Sequence, residues 1–326
     1  MSTQEFSLPA IVNRVRTEAD AYLLLEELRW GGAPDACPKC GVVGRCYYLN
    51  PKNGESRKTR TGAVSERRVW KCGGCRKQFS VLTDTIFHGT KISIRTWLMV
   101  IFEMCSAKNS ISAWEVSRKY GITNESAWHM LHRIREAMKR EPVAGLLRGT
   151  VVADETWIGG NPKNRHRSDP RAKDRRKGTD KTPILALVHH ETREVRSMGV
   201  TDVSAKTLRK VMDDHIDAPN THLWTDSASA YQQMADEFAG HASVNHTKGQ
   251  YKGEGGVTTN AAEGFFSQLK RSLDGTHHHV SLWHLHRYLA QFDFLATNCR
   301  KTDSERMREL LGNVDGRRLT YKPLTA

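Results

Sequence analysis

Thr258-Thr259-Asn260-Ala261-Ala262-Glu263-Gly264-Phe265-Phe266-Ser267-Gln268-Leu269-Lys270-Arg271 reads as a helix that begins near Asn260. Residues three, four and seven apart share a helical face, so Glu263, Phe266 or Ser267, and Lys270 fall on successive turns. One face then carries a carboxylate and a cation. Taken alone, the pair has a plain explanation: a solvated Glu–Lys face, with Asn260 as N-cap and Glu263 as its N3 partner.

Two further segments give that face a chemical meaning. Thr150-Val151-Val152-Ala153-Asp154-Glu155-Thr156-Trp157-Ile158-Gly159-Gly160 is a β-rich run with Asp154 inside it, and His222-Leu223-Trp224-Thr225-Asp226-Ser227 is an apolar strand ending on Asp226. A single Asp at a strand end is ordinarily a turn former or a helix cap. Two acids on strands and a third on a late helix are a different matter. Carboxylates brought together repel unless a cation neutralises them, and hard oxygen ligands are what Mg²⁺ or Mn²⁺ prefer. A site for phosphoryl transfer on nucleic acid is built in this way.

Asp154 in ADETWIGG, Asp226 in TDSASAY, and Glu263 with Lys270 in TNAAEGFFSQLKR resemble the DDE motif and downstream Lys of insertion-sequence transposases. The chain is most similar to the ISXO-type family, whose members share an N-terminal zinc ribbon. GTHHHVS followed by LHRYLAQFDF belongs to the same pattern, and the likeness covers nearly the whole chain. The resemblance implies Asp154, Asp226, Glu263, Asn260 and Lys270 as the catalytic set. Asn260 competes with Glu263 for the third metal-proximal position, because related groups place Asn, His or Glu there. It further implies Mg²⁺ or Mn²⁺ on Asp154, Asp226 and Glu263, Lys270 on a phosphate near the cut, and a homo-oligomer on paired DNA ends.

The bulk numbers agree with a polyanionic partner. The 326 residues are long enough for two or three domains with a sizeable core. Lys and Arg number 50 against 36 Asp and Glu, a net charge of +14, and neutralising phosphates releases counterions. No apolar run reaches the ~18 residues of a spanning helix, and MSTQEFSLPAIVNRV lacks a signal-peptide core. The expectation is a cytoplasmic, nucleoid-associated protein with no membrane partner.

Four of the seven cysteines fall in two Cys-x-x-Cys units, Cys37/Cys40 and Cys72/Cys75, separated by residues 41–71. Each unit can form a tight knuckle in which glycines let backbone amides face the thiolates, and two knuckles complete a tetrahedral Zn²⁺ site. A redox dithiol is the competing reading; the doubled knuckle and basic flanks favour zinc. Strands are expected at Cys46–Leu49, Arg67–Lys71 and Gln78–Val81, giving a zinc ribbon. Cys46, Cys105 and Cys299 have no suitable partners in sequence and read as ordinary buried or partly buried thiols.

Residues 17–30 have helical spacing and a packing role. From Ser93 the pattern is helical again, and Ser112–Ile122 leads through Gly121 into a helix from about Asn124 to Lys139. That layout is a helix-turn-helix, with Asn124, Glu125, Ser126 and His129 near the start of the groove-entering helix and a basic run of His132, Arg133, Arg135 and Lys139 behind them. An ordinary helical hairpin with a basic solvated face is the alternative. Residues 161–181 hold nine Lys/Arg and three Asp, a local excess of six, and no apolar period. This loop, with Arg165, Arg167, Arg175 and Arg176, is expected to clamp the DNA backbone, as are Lys270 and Arg271. His246 is a candidate neighbour of the metals or a structural residue, and the His277-His278-His279 run reads as a loop contact.

The fold class expected is α/β: a ribonuclease-H-like domain, a mixed sheet with helices, preceded by a zinc ribbon and a helix-turn-helix. Strands at Asp154, Ile184–Val188, Val195–Val200 and Asp226, with helices at Lys206–His215 and Ala230–Phe238, give the β-β-β-α-β-α order. The boundaries are 1–90 for helices and ribbon, 91–145 for the helix-turn-helix, 146–300 for the catalytic domain, and 301–326 for a polar, basic and poorly ordered tail. The resulting reading is a transposase that binds terminal inverted repeats and joins 3′-OH ends to target double-stranded DNA. A metal-dependent nuclease or resolvase, and a non-catalytic regulator derived from a transposase, are the alternatives.

Overall fold

A computed structural model describes residues 6–50, 58, 62, 64–139, 145–159, 181–226, 229–244, 253, 256–278 and 280–325. The chain forms two compact units, Met1–Met138 joined by Lys301–Ala326, and Lys139–Arg300.

In the first unit, α1 (Leu8–Arg14) and α2 (Glu18–Trp30) precede a three-stranded antiparallel ribbon of β1 (Cys46–Tyr48), β2 (Trp70–Cys72) and β3 (Gln78–Phe79). Thr17 and Asp20 form a reciprocal capping box at the start of α2. Glu26 of α2, 1% exposed, accepts from Arg68 Nε at 2.6 Å and Trp70 Nε1 at 2.8 Å, fastening α2 to the ribbon. Three helices follow: α3 (Ile94–Ser106), α4 (Ala113–Tyr120) and α5 (Asn124–Met138). Gly121, at φ +63, ends α4 in the left-handed conformation that glycine adopts without cost.

The C-terminal segment departs from the expected disordered tail. Asp303–Gly312 is a helix, α10, with a Thr302/Glu305 capping box, and Met307, Leu310 and Leu311 are fully buried. Its apolar residues recur at i, i+3 and i+4, a period masked in the sequence by the surrounding charges. Arg306 donates to the Cys105 carbonyl at 3.0 Å, and Gly316 N–H donates to Asp84 O at 2.8 Å, so this segment completes the N-terminal unit. A short α11 (Lys322–Thr325) follows.

In the second unit β4 (Leu147–Ile158), β5 (Thr182–His189), β6 (Val195–Gly199), β7 (Ile216–Asp226) and β8 (Gly240–Val244) form one sheet in the order β6-β5-β4-β7-β8. The β6-β5 and β5-β4 pairs are antiparallel, and the β4-β7 and β7-β8 pairs are parallel. Pro183 to Val188 are buried in unbroken succession, as a strand covered on both faces requires. One face packs Val152, Ile184 and Ala186 under α8 (Asn260–Ser272) and α9 (Leu282–Thr297). The other packs Val151, Ala153 and Leu185 under α6 (Ala205–His215) and α7 (Ser229–Gln232). The helix expected over Ala230–Phe238 is shorter: α7 covers four residues and a 3₁₀ turn occupies Ala235–Glu237. Asp293 of α9 accepts from Ser197 N at 2.9 Å and Ser197 Oγ at 2.6 Å, which fixes α9 to the edge strand. No helix among the described residues is long and apolar enough to cross a membrane.

Candidate active site and metal centre

Strand pairing brings the first two acids together. Val152 of β4 stands opposite Trp224 of the parallel β7, so Asp154 and Asp226, each two residues further on, are level just beyond the last β4–β7 pair. Alternation along a strand puts Asp154 on the face of Val152 and Ile158, and Asp226 on that of Trp224. That is the face packed by α8 and α9, and both acids are half-buried. Asp154 Oδ1 accepts the N–H of Glu155 at 2.8 Å.

Glu263 lies one turn into α8, whose Ala262, Phe265, Phe266 and Leu269 fill the core of that same face. Its side chain is exposed and accepts the Thr259 hydroxyl at 3.0 Å. The N-cap of α8 is Thr259, where the sequence suggested Asn260; Asn260 is the exposed first residue and donates its N–H to Thr258 Oγ1 at 3.2 Å. Lys270, seven residues beyond Glu263 on the exposed side, is about 10 Å further along the axis at 1.5 Å per residue. Arg271 beside it donates to Ser267 O at 3.2 Å and Ser267 Oγ at 3.0 Å. Among the described residues the three acids do not gather their oxygens within 4.8 Å of one another; the one group of three or more possible ligands that does so is the cysteine cluster.

A fourth acid, missed in the sequence, adjoins the aspartates. Glu155 points to the opposite face, where it accepts a hydrogen bond from the hydroxyl of the fully buried Tyr231. Burial pushes its carboxyl up to about 7; the Tyr231 hydrogen bond opposes this, and the charges of Asp226 and Asp154 add to it. Burial likewise drives the Tyr231 phenol well above its usual value. The signal was present in the sequence: alternation puts the second acid of Asp154-Glu155 on the face away from the first.

In the first unit the sulfurs of Cys37, Cys40, Cys72 and Cys75 converge, with Cys37–Cys75 at 3.8 Å and Cys40–Cys72 at 3.7 Å. A tetrahedral Zn²⁺ with bonds of about 2.3 Å requires sulfurs about 3.8 Å apart. The N–H groups of Cys75 and Gly74 point at Cys72 Sγ from 3.4 and 3.3 Å and hold its thiol down to about 6, the state a metal ligand needs. The knuckles differ from the expected pair of glycine turns. Gly41 is left-handed at φ +72 in the first, whereas in the second that conformation falls on Arg76, at φ +60. Cys46 stands opposite Cys72 in the β1-β2 register, outside the four-sulfur group, and burial raises its thiol to about 11. Cys105 is buried, and Cys299 is exposed where a buried or partly buried thiol was expected.

Residues 146–297 match the ISXO2-like transposase domain, and residues 16–78 match the transposase zinc-ribbon domain. The chain thus carries an ISXO2-like transposase domain behind a transposase zinc ribbon. A protein of the transposable element ISH50 from Halobacterium salinarum is 24% identical over 303 residues, covering 90% of this chain and 96% of that protein. The zinc-ribbon match and the convergence of the four sulfurs support zinc binding.

The helix expected to read DNA is largely internal. Arg133 is 5% exposed, donates to the His88 carbonyl at 2.7 Å and lies over the Trp97 ring at 5.2 Å, so it serves the core rather than DNA. His132 and Arg135 are buried as well. Ala127, Met130, Leu131, Ile134, Ala137 and Met138 make the apolar stripe of α5 so wide that the basic positions flank it inside the unit. His129 is half-buried with its ring 5.4 Å from that of Tyr321. Asn124 and Ser126, in the first turn, keep partial exposure; Thr123 caps that turn, its hydroxyl accepting from Ser126 N–H at 3.3 Å. Arg165, Arg167, Arg175, Arg176, His246 and His279 lie outside the described residues. His277 packs its ring on Tyr288 at 4.8 Å, and His278 Nδ1 meets Asp274 O at 2.9 Å.

Proposed function

We propose that this transposase binds the terminal inverted repeats of an insertion sequence, cuts at the element ends and joins the freed 3′-OH to target DNA. The observation that carries this reading is the level placement of Asp154 and Asp226 on parallel neighbouring strands, on the sheet face covered by the helix bearing Glu263. The strand order, with acids on the first and fourth strands and on a later helix, supports a ribonuclease-H-like catalytic domain.

Asp154, Asp226 and Glu263 would hold Mg²⁺ or Mn²⁺; all three offer the hard oxygens those ions take. Bound there, divalent ions supply an activated water or 3′-OH nucleophile and neutralise charge on the leaving oxygen. The chain's own residues do the rest. Thr259 orients the Glu263 carboxylate, and Asn260, exposed beside it, is a second donor to the site. Lys270 binds a non-bridging phosphate oxygen as a point charge, and Arg271 a neighbouring phosphate. The basic segment with Arg165, Arg167, Arg175 and Arg176 clamps the backbone without reading sequence. Helices α4 and α5 present Asn124 and Ser126 to base edges in a helix-turn-helix manner. The protein acts on double-stranded DNA as a homo-oligomer in the bacterial cytoplasm, associated with the nucleoid.

The test is cleavage and joining of a labelled DNA bearing the element's own flanking repeats, with Mg²⁺, Mn²⁺ or Ca²⁺, using wild type and Asp226→Ala. Metal-dependent 3′-end nicks followed by joined product, both absent in the variant, are expected. Nicking without joining would make the protein a nuclease. Tight specific binding without any cut would make it a regulator.

A further inference from the structure

The backbone ladder between β4 and β7 stops short of the acids. Its last pair is Val152–Trp224, two residues before Asp154 and Asp226. Beyond it, among the described residues, β4 remains paired only with β5 as far as Ile158–Thr182, and β7 only with β8 as far as Asp226–Val244. Two carboxylates therefore stand at the point where their strands lose direct hydrogen bonding to each other, and their mutual repulsion favours opening of the gap.

One side-chain contact spans that opening from behind. Glu155 directly follows Asp154, and Tyr231 follows Asp226 by five residues. Tyr231 of α7, wholly buried in the apolar layer on that face of the sheet, donates its hydroxyl to Glu155 Oε1. The hydrogen bond ties the segment after one aspartate to the segment after the other, on the face away from both. A carboxyl in an apolar layer is costly, and a packing role alone would be better served by a Leu or Met.

We infer that Tyr231 and Glu155 are a positioning pair that sets the separation of Asp154 and Asp226 for a divalent cation. The inference rests on the acid site proposed above. Neither residue touches DNA or the ion; they act through the backbone segments they join.

The test is Mn²⁺ binding to the full-length, zinc-loaded chain, read from free Mn²⁺ by electron paramagnetic resonance. It is paired with the Mn²⁺ dependence of end cleavage and with thermal unfolding as a check on folding. Tyr231→Phe should weaken Mn²⁺ binding by about 10–100-fold, the effect typical of lost outer-shell support, and saturating Mn²⁺ should restore most of the cleavage rate. Glu155→Gln, whose amide oxygen can accept the same hydroxyl, should stay within about threefold of wild type, well inside that range. Glu155→Leu should repeat the Tyr231→Phe defect and serves in its place if that variant does not fold. A folded Tyr231→Phe with wild-type Mn²⁺ affinity, or one whose lost cleavage is not recovered by metal, would overturn the pairing role alone. Equal and negligible Mn²⁺ binding by wild type and Asp154→Asn would instead overturn the acid site, and the inference with it.

Discussion

The sulfurs of Cys37 and Cys75 stand 3.8 Å apart although the two lie 38 positions apart in sequence. That closeness, matched by 3.7 Å between Cys40 and Cys72, fits thiolates held by one ion. Among the described residues the ribbon they close has three short strands and a small buried core of Cys37, Trp70, Cys72 and Phe79. Such a core cannot carry a fold unaided. Purified protein should therefore contain one zinc per chain by atomic emission. Cys40→Ser should lose the metal and shift thermal unfolding of the N-terminal unit down by more than about 10 °C, since binding energy at a structural zinc is folding energy. Retention of one zinc by Cys40→Ser would remove that residue from the ligand set.

Arg133 was expected on DNA and lies instead between the His88 carbonyl and the Trp97 ring. Arg133→Ala should destabilise the chain by about 1–3 kcal/mol, the usual cost of an orphaned buried partner plus lost packing. The folded protein should keep its DNA affinity and the salt dependence of that affinity. A salt slope shallower by about one unit would restore Arg133 to the phosphate-contacting residues.

Much of the second unit was legible because its signals are local. The runs around Asp154 and Asp226 are strands where alternation and turn residues place them, and α8 begins within a residue of the expected position. Charge hid other features. In α5 the basic residues looked solvated because a sequence does not show that α5 is packed on more than one side. At Asp303–Gly312 a helical stripe of Ser304, Met307, Leu310 and Leu311 is interleaved with five charged residues, so its mean polarity suggested disorder. Glu155 carries no motif of its own in the sequence; it is distinguished from Asp154 only because a strand sends neighbours to opposite faces.

Removal of residues 303–326 tests that reassignment of the tail. Met307, Leu310, Leu311 and Val314 have no exposed surface, and burying each such side chain contributes about 1.5–3 kcal/mol. The truncated chain should aggregate on expression or unfold at least about 10 °C earlier, given roughly 2–4 °C per kcal/mol for a chain of this size. A soluble truncation with unchanged unfolding temperature would show the helix to be dispensable.

Thr259 is fully buried and its hydroxyl donates to Glu263 Oε1 at 3.0 Å. Thr259→Val keeps the shape and removes this donor to the Glu263 carboxylate. Metal-dependent end cleavage should fall by about tenfold, in the lower range for lost support of a metal ligand, while Thr259→Ser should remain close to wild type. Equal activity of the Val and Ser variants would show that the hydrogen bond does not orient the carboxylate.

The raised carboxyl of Glu155 makes stability depend on pH in a definite direction. In the unfolded chain it titrates near 4.5, and in the folded chain near 7, because burial and the neighbouring Asp226 and Asp154 disfavour its charge while Tyr231 offsets part of that penalty. Between those values the folded state holds a proton that the unfolded state has released. Stability should therefore fall as pH rises through this window, with the loss complete above it. At about 1.4 kcal/mol per pKa unit the effect is bounded at about 3 kcal/mol. Glu155→Gln carries no titrating group, so the wild-type-minus-variant difference in urea stability should widen against wild type from pH 4.5 to 7.5. Added Mn²⁺ should shrink the difference by neutralising the aspartates. Parallel pH profiles for the two proteins without added metal would show that the carboxyl ionises inside the fold as readily as outside it.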